Sequence, residues 1–332
     1  MVDRWGMEGL EIVRRPQPRD VLVRLGLGDA DLRRLVRRGR LQHHHGHYID
    51  GSIAADIAVS ACAQAAHPGS VVSHFSAARL AGLSTWVDGA RRSPPPYDAT
   101  WLTRPPETPR NQRRRNLVVR RAGLAPEDVS RHGWLPVTST ARTVADLARE
   151  LPTREAIVTV DDALRSGTTF DELAAVLERQ EQWPGVRRAR ATIAFGDARA
   201  ESALESIARF RCVAGGLPMP ELQVQFFDGF SWMLERVDLW WPEFRTAGEA
   251  DGLAKYDAAT PQERRHLLRL AHRRDQVLSD RGIELVHFGW EDTVDPRSDL
   301  IPRLQTAFDR GRARPGPAPT WRVAPGYAQL AA

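Results

Sequence analysis

Residues 236–256 read RVDLWWPEFRTAGEADGLAKY. Asp238 lies between Val237 and Leu239 in an otherwise apolar strand, where a carboxylate is unfavourable unless its oxygens are satisfied. After a turn, the segment FRTAGEA carries Glu249, and Asp251 follows at a two-residue spacing that turns both carboxylates to one face of a strand. Lys255 comes four residues later. Upstream lie LQVQFF (222–227), an alternating strand, and a turn at Asp228 and Gly229. Downstream, an Arg-rich helix is predicted over about 261–281, a strand at IELVHFGW (283–290) and a last helix from about Asp299 to Arg310. Three strands, a crossover helix and a further strand predict an α/β sandwich with helices on both faces of a mixed sheet.

The helix AESALESIARFRC (200–212) precedes this meander, with Glu201 and Glu205 at i and i+4 on one side. A sheet that forks near Asp238 could bring Asp238, Glu249 and Asp251 to one hard divalent cation such as Mg²⁺. Such an ion suits phosphodiester hydrolysis, because it polarises the phosphoryl oxygen and activates water. Without it, crowded acids repel and one tends to hold a proton. Lys255 could then stabilise charge in the transition state, with His272 or His287 as a general base. The plainer reading makes Asp251-Gly252 a turn and pairs Glu249 with one of many arginines. Trp240 and Trp241 read as core.

At the other end, GDADLRRLVRRGRLQHHHGHYID (28–50) carries a helix signal with boundaries. Asp29 reads as its N-cap, Leu32, Leu35 and Val36 as its apolar face, and Gly39 as the residue that ends it. Two short strands around Gly46 follow. A first helix, an Arg-rich second helix and a hairpin are the parts of a winged helix-turn-helix, with Arg33, Arg34, Arg37 and Arg38 against DNA. The histidines 43, 44, 45 and 47 read as a polar wing surface; they lack a carboxylate or thiol to complete a metal shell. The region 53–198 reads as mostly helical, with candidate strands at Thr100–Thr103 and Asn116–Arg121 and a basic loop over 91–121 that holds nine arginines against two acids, a local charge of +7. Arg113, Arg114 and Arg115 within it are candidate DNA contacts.

Composition excludes several chemistries. Of 47 basic residues, 46 are Arg and one is Lys255, so no GxxxxGK[ST] phosphate loop exists. Cys62 and Cys212 are too few for a cysteine-rich zinc or iron–sulfur centre. No apolar run approaches membrane-spanning length, and the expected setting is cytoplasmic, with no membrane partner.

The 236–256 string, with ESALES upstream and RRDQVLSDRGIELVHFGW downstream, resembles the PD-(D/E)XK nuclease superfamily, above all the Vsr-like endonuclease domains. The resemblance implies a restriction-endonuclease-like fold, with Asp238 and Glu249 as metal-binding acids and Glu201 or Glu205 as the helix acid. It departs at Asp251, where that pattern has Lys. The N-terminal string, with LPVTSTARTVADLAR (135–149), is similar to AbiEi-type antitoxins, which implies operator DNA and a cognate toxin of a type IV toxin–antitoxin system as partners. The expected domains are a winged helix at 1–52, a helical antitoxin-like middle at 53–198, a nuclease-like domain at 199–310 and a flexible tail at 311–332. Two functions follow: a Mg²⁺-dependent DNA endonuclease, or a non-catalytic DNA-binding regulator with a degenerate nuclease domain.

Overall fold

The structure is a computed structural model that describes residues 13–89, 98–107, 111–251 and 260–330. The chain is α/β with mixed sheets and divides into two compact units, one formed by Met1–Leu151 and Phe170–Ala189, the other by Pro152–Thr169 and Arg190–Ala332.

The first unit opens with β1 (Gln17–Pro18), α1 (Arg19–Arg24), α2 (Asp29–Arg37), β2 (Leu41–His44) and β3 (His47–Asp50), whose strands pair in the order β1-β3-β2. Val13, Leu22, Leu27, Leu32 and Leu41 form the core beneath them. Asp29 is not the N-cap of α2. Gly28 takes that place, with its N–H on the Asp31 carboxylate, while Asp29 starts the helix and pairs with Arg19 at 2.8 and 2.7 Å. Gly39 follows the helix at φ +67°, the left-handed conformation that glycine adopts without strain. His45 and Gly46, both at positive φ, form a two-residue hairpin loop whose twist matches that of its strands.

The middle of the chain is not mostly helical. After α3 (Ala55–Ala65) come β4 (Val71–Val72), α4 (His74–Leu80), β5 (Thr100–Arg104), β6 (Gln112–Arg114), β7 (Leu117–Arg121), β8 (Val129–His132) and β9 (Leu135–Thr138). Their six strands form one sheet, β6-β7-β5-β4-β9-β8, with β5–β7 and β4–β9 parallel. Strands this short give too few residues for a period-two pattern, and Thr100–Thr103 of β5 is buried on both faces, which erases alternation. The strands expected at 100–103 and 116–121 are β5 and β7, the basic run expected as a loop contributes β6, and 90–97 and 108–110 lie outside the described residues.

Four helices follow: α5 (Thr140–Glu150), α6 (Thr153–Arg165), α7 (Phe170–Arg179) and α8 (Val186–Ala194). Ser139 caps α5, accepting the Arg142 N–H at 3.3 Å. Helices α5 and α7 belong to the first unit and α6 to the second. The second unit thus begins well before residue 199. A buried ion pair lies within this unit: Arg209 of α9 (Ala203–Ala214) holds Asp161 of α6 through two 3.0 Å bonds.

The rest of this unit is β10 (Glu221–Phe227), β11 (Trp232–Trp241), β12 (Thr246–Ala250), α10 (Pro261–Asp280), β13 (Glu284–Phe288), α11 (Trp290–Val294), α12 (Leu300–Ala313), β14 (Trp321–Val323) and α13 (Pro325–Ala328). Strands β10 to β12 form an antiparallel meander, and α10 crosses over to β13, which pairs parallel to β12. The segment after 310 is more than a tail, since β14 pairs with β10 at the sheet edge. One apolar cluster joins Leu222, Leu239, Trp241 and Phe288 to α9 and α12; the other joins Val224, Phe226, Val237 and Trp240 to Leu278 of α10. Helices therefore cover both faces of this sheet, and both tryptophans are core.

Candidate functional site

The β10–β11 ladder pairs Leu222 with Leu239 and Val224 with Val237, yet omits the level between them, Gln223 and Asp238. Gln223 sits at φ +55°, a sparsely populated conformation for a residue with a side chain. The two valines lie in the cluster against α10, whereas Leu222 and Leu239 lie in the opposite one, so face alternation reverses at this level. The break lies between β10 and β11, while β11 and β12 stay paired over Leu239–Trp241 and Thr246–Gly248. It lets Asp238, 8% exposed, direct Oδ2 to the Ala250 N–H at 2.8 Å, tying β11 to the end of β12.

Glu205 reaches the same level from the first turn of α9. Its carboxylate accepts the Glu201 N–H (2.9 Å), the Ser202 hydroxyl (2.8 Å) and the Gln223 side-chain amide (2.9 Å). Three donors favour the charged form, but burial and the nearby Asp238 charge outweigh them and push Glu205 up to about 7. Glu201 is not its partner acid. It lies before the helix, which starts after Ser202, so i,i+4 geometry does not apply; it pairs instead with Arg236 at 2.6 Å and with the Tyr327 hydroxyl.

Glu249 is buried in β12 and receives Arg274 of α10, Nη2 to Oε1 at 2.5 Å; the same Nη2 also donates to the Arg236 carbonyl at 2.7 Å. Burial opposes the Arg274 charge, but Glu249, Asp275 and Asp238 outweigh it and hold the guanidinium protonated. Asp251 engages His287 Nδ1 of β13 at 2.9 Å, while His287 Nε2 meets Asp275 of α10 at 3.0 Å. The Asp251 hydrogen bond, with both carboxylate charges, raises the His287 pKa. His272 is exposed.

Asp238, Glu249 and Asp251 thus share a neighbourhood without converging on a point. Among the described residues, no three acids, histidines or cysteines are placed to hold a metal ion. The positive charge between the acids belongs to Arg274, which the sequence reading did not single out; its only signal there was an arginine on the inward side of an Arg-rich helix. Gln223 carried no signal at all. Lys255 lies outside the described residues.

The Glu205 environment has a measurable consequence. A carboxylate whose pKa rises on folding keeps its proton longer in the folded state, so stability falls as pH rises from about 4.5 through about 7 and is level above that. Thermal melting from pH 4.5 to 8.5 should show this fall, flattened in Glu205→Gln and moved to lower pH in Asp238→Asn, which removes the repelling charge. An unchanged profile in both variants would contradict the assignment.

In the first unit, Arg33, Arg34, Arg37 and Arg38 are exposed on and just after α2. Arg34 is tied to Asp31 at 2.6 Å, while Arg33, Arg37 and Arg38 have no ion pair among the described residues. Arg113, Arg114 and Arg115 are exposed at the edge strand β6 and the turn after it. The wing histidines are engaged locally: His43 stacks on Tyr48 at 4.4 Å, His44 meets Gln42 at 3.3 Å and His47 meets the His45 carbonyl at 3.2 Å. Burial lowers the pKa of His44 and His45.

Fold and site together define a two-unit α/β protein with an Arg-exposing helix–hairpin element and a buried carboxylate–arginine cluster. No family model matches the chain. It is 33% identical over 197 residues to the uncharacterized proteins MT2308 and Rv2248 of Mycobacterium tuberculosis, strains CDC 1551 / Oshkosh and H37Rv, covering 59% of this chain and 69% of each relative. The chain belongs to the family of these two proteins. The crystal structure of the RV2827C protein from Mycobacterium tuberculosis aligns with 65% of this chain and 81% of its own, at 16% identity and a TM-score of 0.38.

Proposed function

We propose that this chain is a DNA-binding regulator whose N-terminal element works as a winged helix-turn-helix and whose second unit is a nuclease-like domain without catalytic function. The observation that carries the DNA-binding reading is the trio Arg33, Arg37 and Arg38, exposed and without ion pairs among the described residues, on and just after α2, beside the hairpin at His45 and Gly46. Arginines spend no energy breaking internal ion pairs when they meet phosphates from this state, and a second helix followed by a wing is a geometry that enters the major groove. Arg113, Arg114 and Arg115 extend the same positive surface chemistry on the six-stranded sheet. Operator DNA is the proposed partner, and a cognate toxin the second one, the latter supported by the antitoxin-like N-terminal string alone.

The non-catalytic reading rests on Arg274. A divalent ion needs Glu249 and Asp251 as oxygen donors, and these are committed to Arg274 and His287. The residues as arranged do not fit Mg²⁺. The endonuclease remains a second reading because of Glu205, held near pH 7 beside Asp238, the signature of acids gathered without enough positive charge. Supercoiled plasmid incubated with the purified protein and Mg²⁺ or Mn²⁺ should stay supercoiled. Nicking that disappears in Asp238→Asn would replace the regulator by the endonuclease.

A further inference from the structure

A polar cleft of about 470 Å³ opens in the first unit, between the end of β7, the C-terminal turn of α5 and the Trp183–Arg188 segment. Arg120, Arg121, Arg149 and Arg188 line it, against two acids, Asp146 and Glu150. Both acids are already neutralised. Glu150 takes Arg120 through two 2.8 Å bonds, and buried Asp146 takes Arg142 at 2.8 Å and Arg149 at 2.9 Å. Arg121 and Arg188 have no carboxylate partner among the described residues, so the cleft holds two uncompensated guanidinium charges. Arg188 is steered toward it by a hydrogen bond from Nη2 to the Arg149 carbonyl.

The wall opposite is built rather than incidental. His74 is 4% exposed, held at φ +49° at the start of α4 and stacked on Trp101 at 5.0 Å. Thr103 donates to Ser73 Oγ at 2.8 Å, and the same hydroxyl shares a 2.9 Å hydrogen bond with His74 Nδ1. His74 Nε2 has no partner among the described residues, on a residue that lines the cleft. Backbone strain of this kind on a buried polar residue is retained where a site needs it. Trp183, with Arg142 and Arg149 about 5 Å from its ring centroid, adds a flat apolar surface. Neutral-donor, guanidinium and aromatic groups in a recess of small-molecule size form a set that recognises a phosphate on a planar organic group.

We propose that this cleft binds a small phosphate-bearing ligand of mononucleotide size, with Arg121 and Arg188 on the phosphate and His74 Nε2 as a further donor. Free phosphate, a nucleotide and a DNA backbone share this chemistry, so the test separates them. Calorimetric titration at low salt uses inorganic phosphate, adenosine monophosphate and a short DNA duplex as probes on the full chain. Saturable binding of the monophosphate, tighter than that of inorganic phosphate, should weaken by about tenfold or more in Arg121→Gln and in Arg188→Gln. It should persist in the Arg33→Ala/Arg37→Ala/Arg38→Ala variant and in the exposed control Arg297→Gln. Arg121 is exposed and unpaired, so its variant keeps the fold even if Arg188→Gln does not. No binding of either small probe overturns the proposal. So does binding of the duplex alone, or equal weakening by Arg297→Gln.

Discussion

Replacing Arg209 with alanine should destabilise the second unit by about 3–5 kcal/mol, because it strands a buried carboxylate. Arg209 and Asp161 are both about 98–99% buried in the core between α9 and α6. The guanidinium also donates to the Phe195 carbonyl at 2.7 Å and lies over the Phe195 ring at 4.3 Å. Asp161 then keeps the neutral donors alone, the Asp197 N–H at 2.8 Å and the Ser206 hydroxyl, and burial already pushes its pKa up. Denaturant unfolding at pH 7 reads the loss, which should shrink as pH falls and Asp161 takes a proton in the folded state. The paired variant Arg209→Met/Asp161→Leu should recover most of it, since two apolar side chains of similar volume leave no charge unmet. If the single and paired variants lose the same amount, the ion pair is not what holds α6 against α9.

The second large effect concerns DNA. The Arg33→Ala/Arg37→Ala/Arg38→Ala variant should bind duplex on the order of 100-fold more weakly at low salt, with its fold unchanged. The three side chains are exposed and contribute nothing to the core of Val13, Leu22, Leu27, Leu32 and Leu41. Circular dichroism and melting temperature should therefore match the parent, which separates lost contact from lost structure. Arg34→Ala should weaken binding less, because its guanidinium is shared with Asp31.

Where the sequence carried enough residues per element, it could be read. The 28–50 segment shows helix, Gly39 stop and hairpin at their observed places, since capping glycines and a two-residue turn are local signals. The 222–290 meander and crossover were legible for the same reason: β10, β11 and α10 are seven, ten and twenty residues long. The six-stranded sheet was hidden because β4, two residues long, is stabilised by β5 and β9 rather than by its own pattern. Asp238, Glu249, Asp251 and Glu205 were named from the sequence, but their partners were not. Which cation meets a carboxylate depends on the crossover that brings Arg274 and Asp275 of α10 beside β12, a long-range contact with no local signature. The misassigned Glu201 shows the converse: an i,i+4 rule fails when the helix begins one residue too late.

In the proposed reading, α2 holds DNA through phosphate contacts. The most direct measurement is the salt dependence of duplex affinity, by fluorescence anisotropy from 50 to 300 mM KCl, for the parent and the triple variant. Each phosphate contact contributes about 0.9 to the slope of log affinity against log salt, so the triple variant should lose a slope of roughly 2.7. An identical slope in the two proteins, or no duplex binding by the parent at 50 mM KCl, would contradict the account.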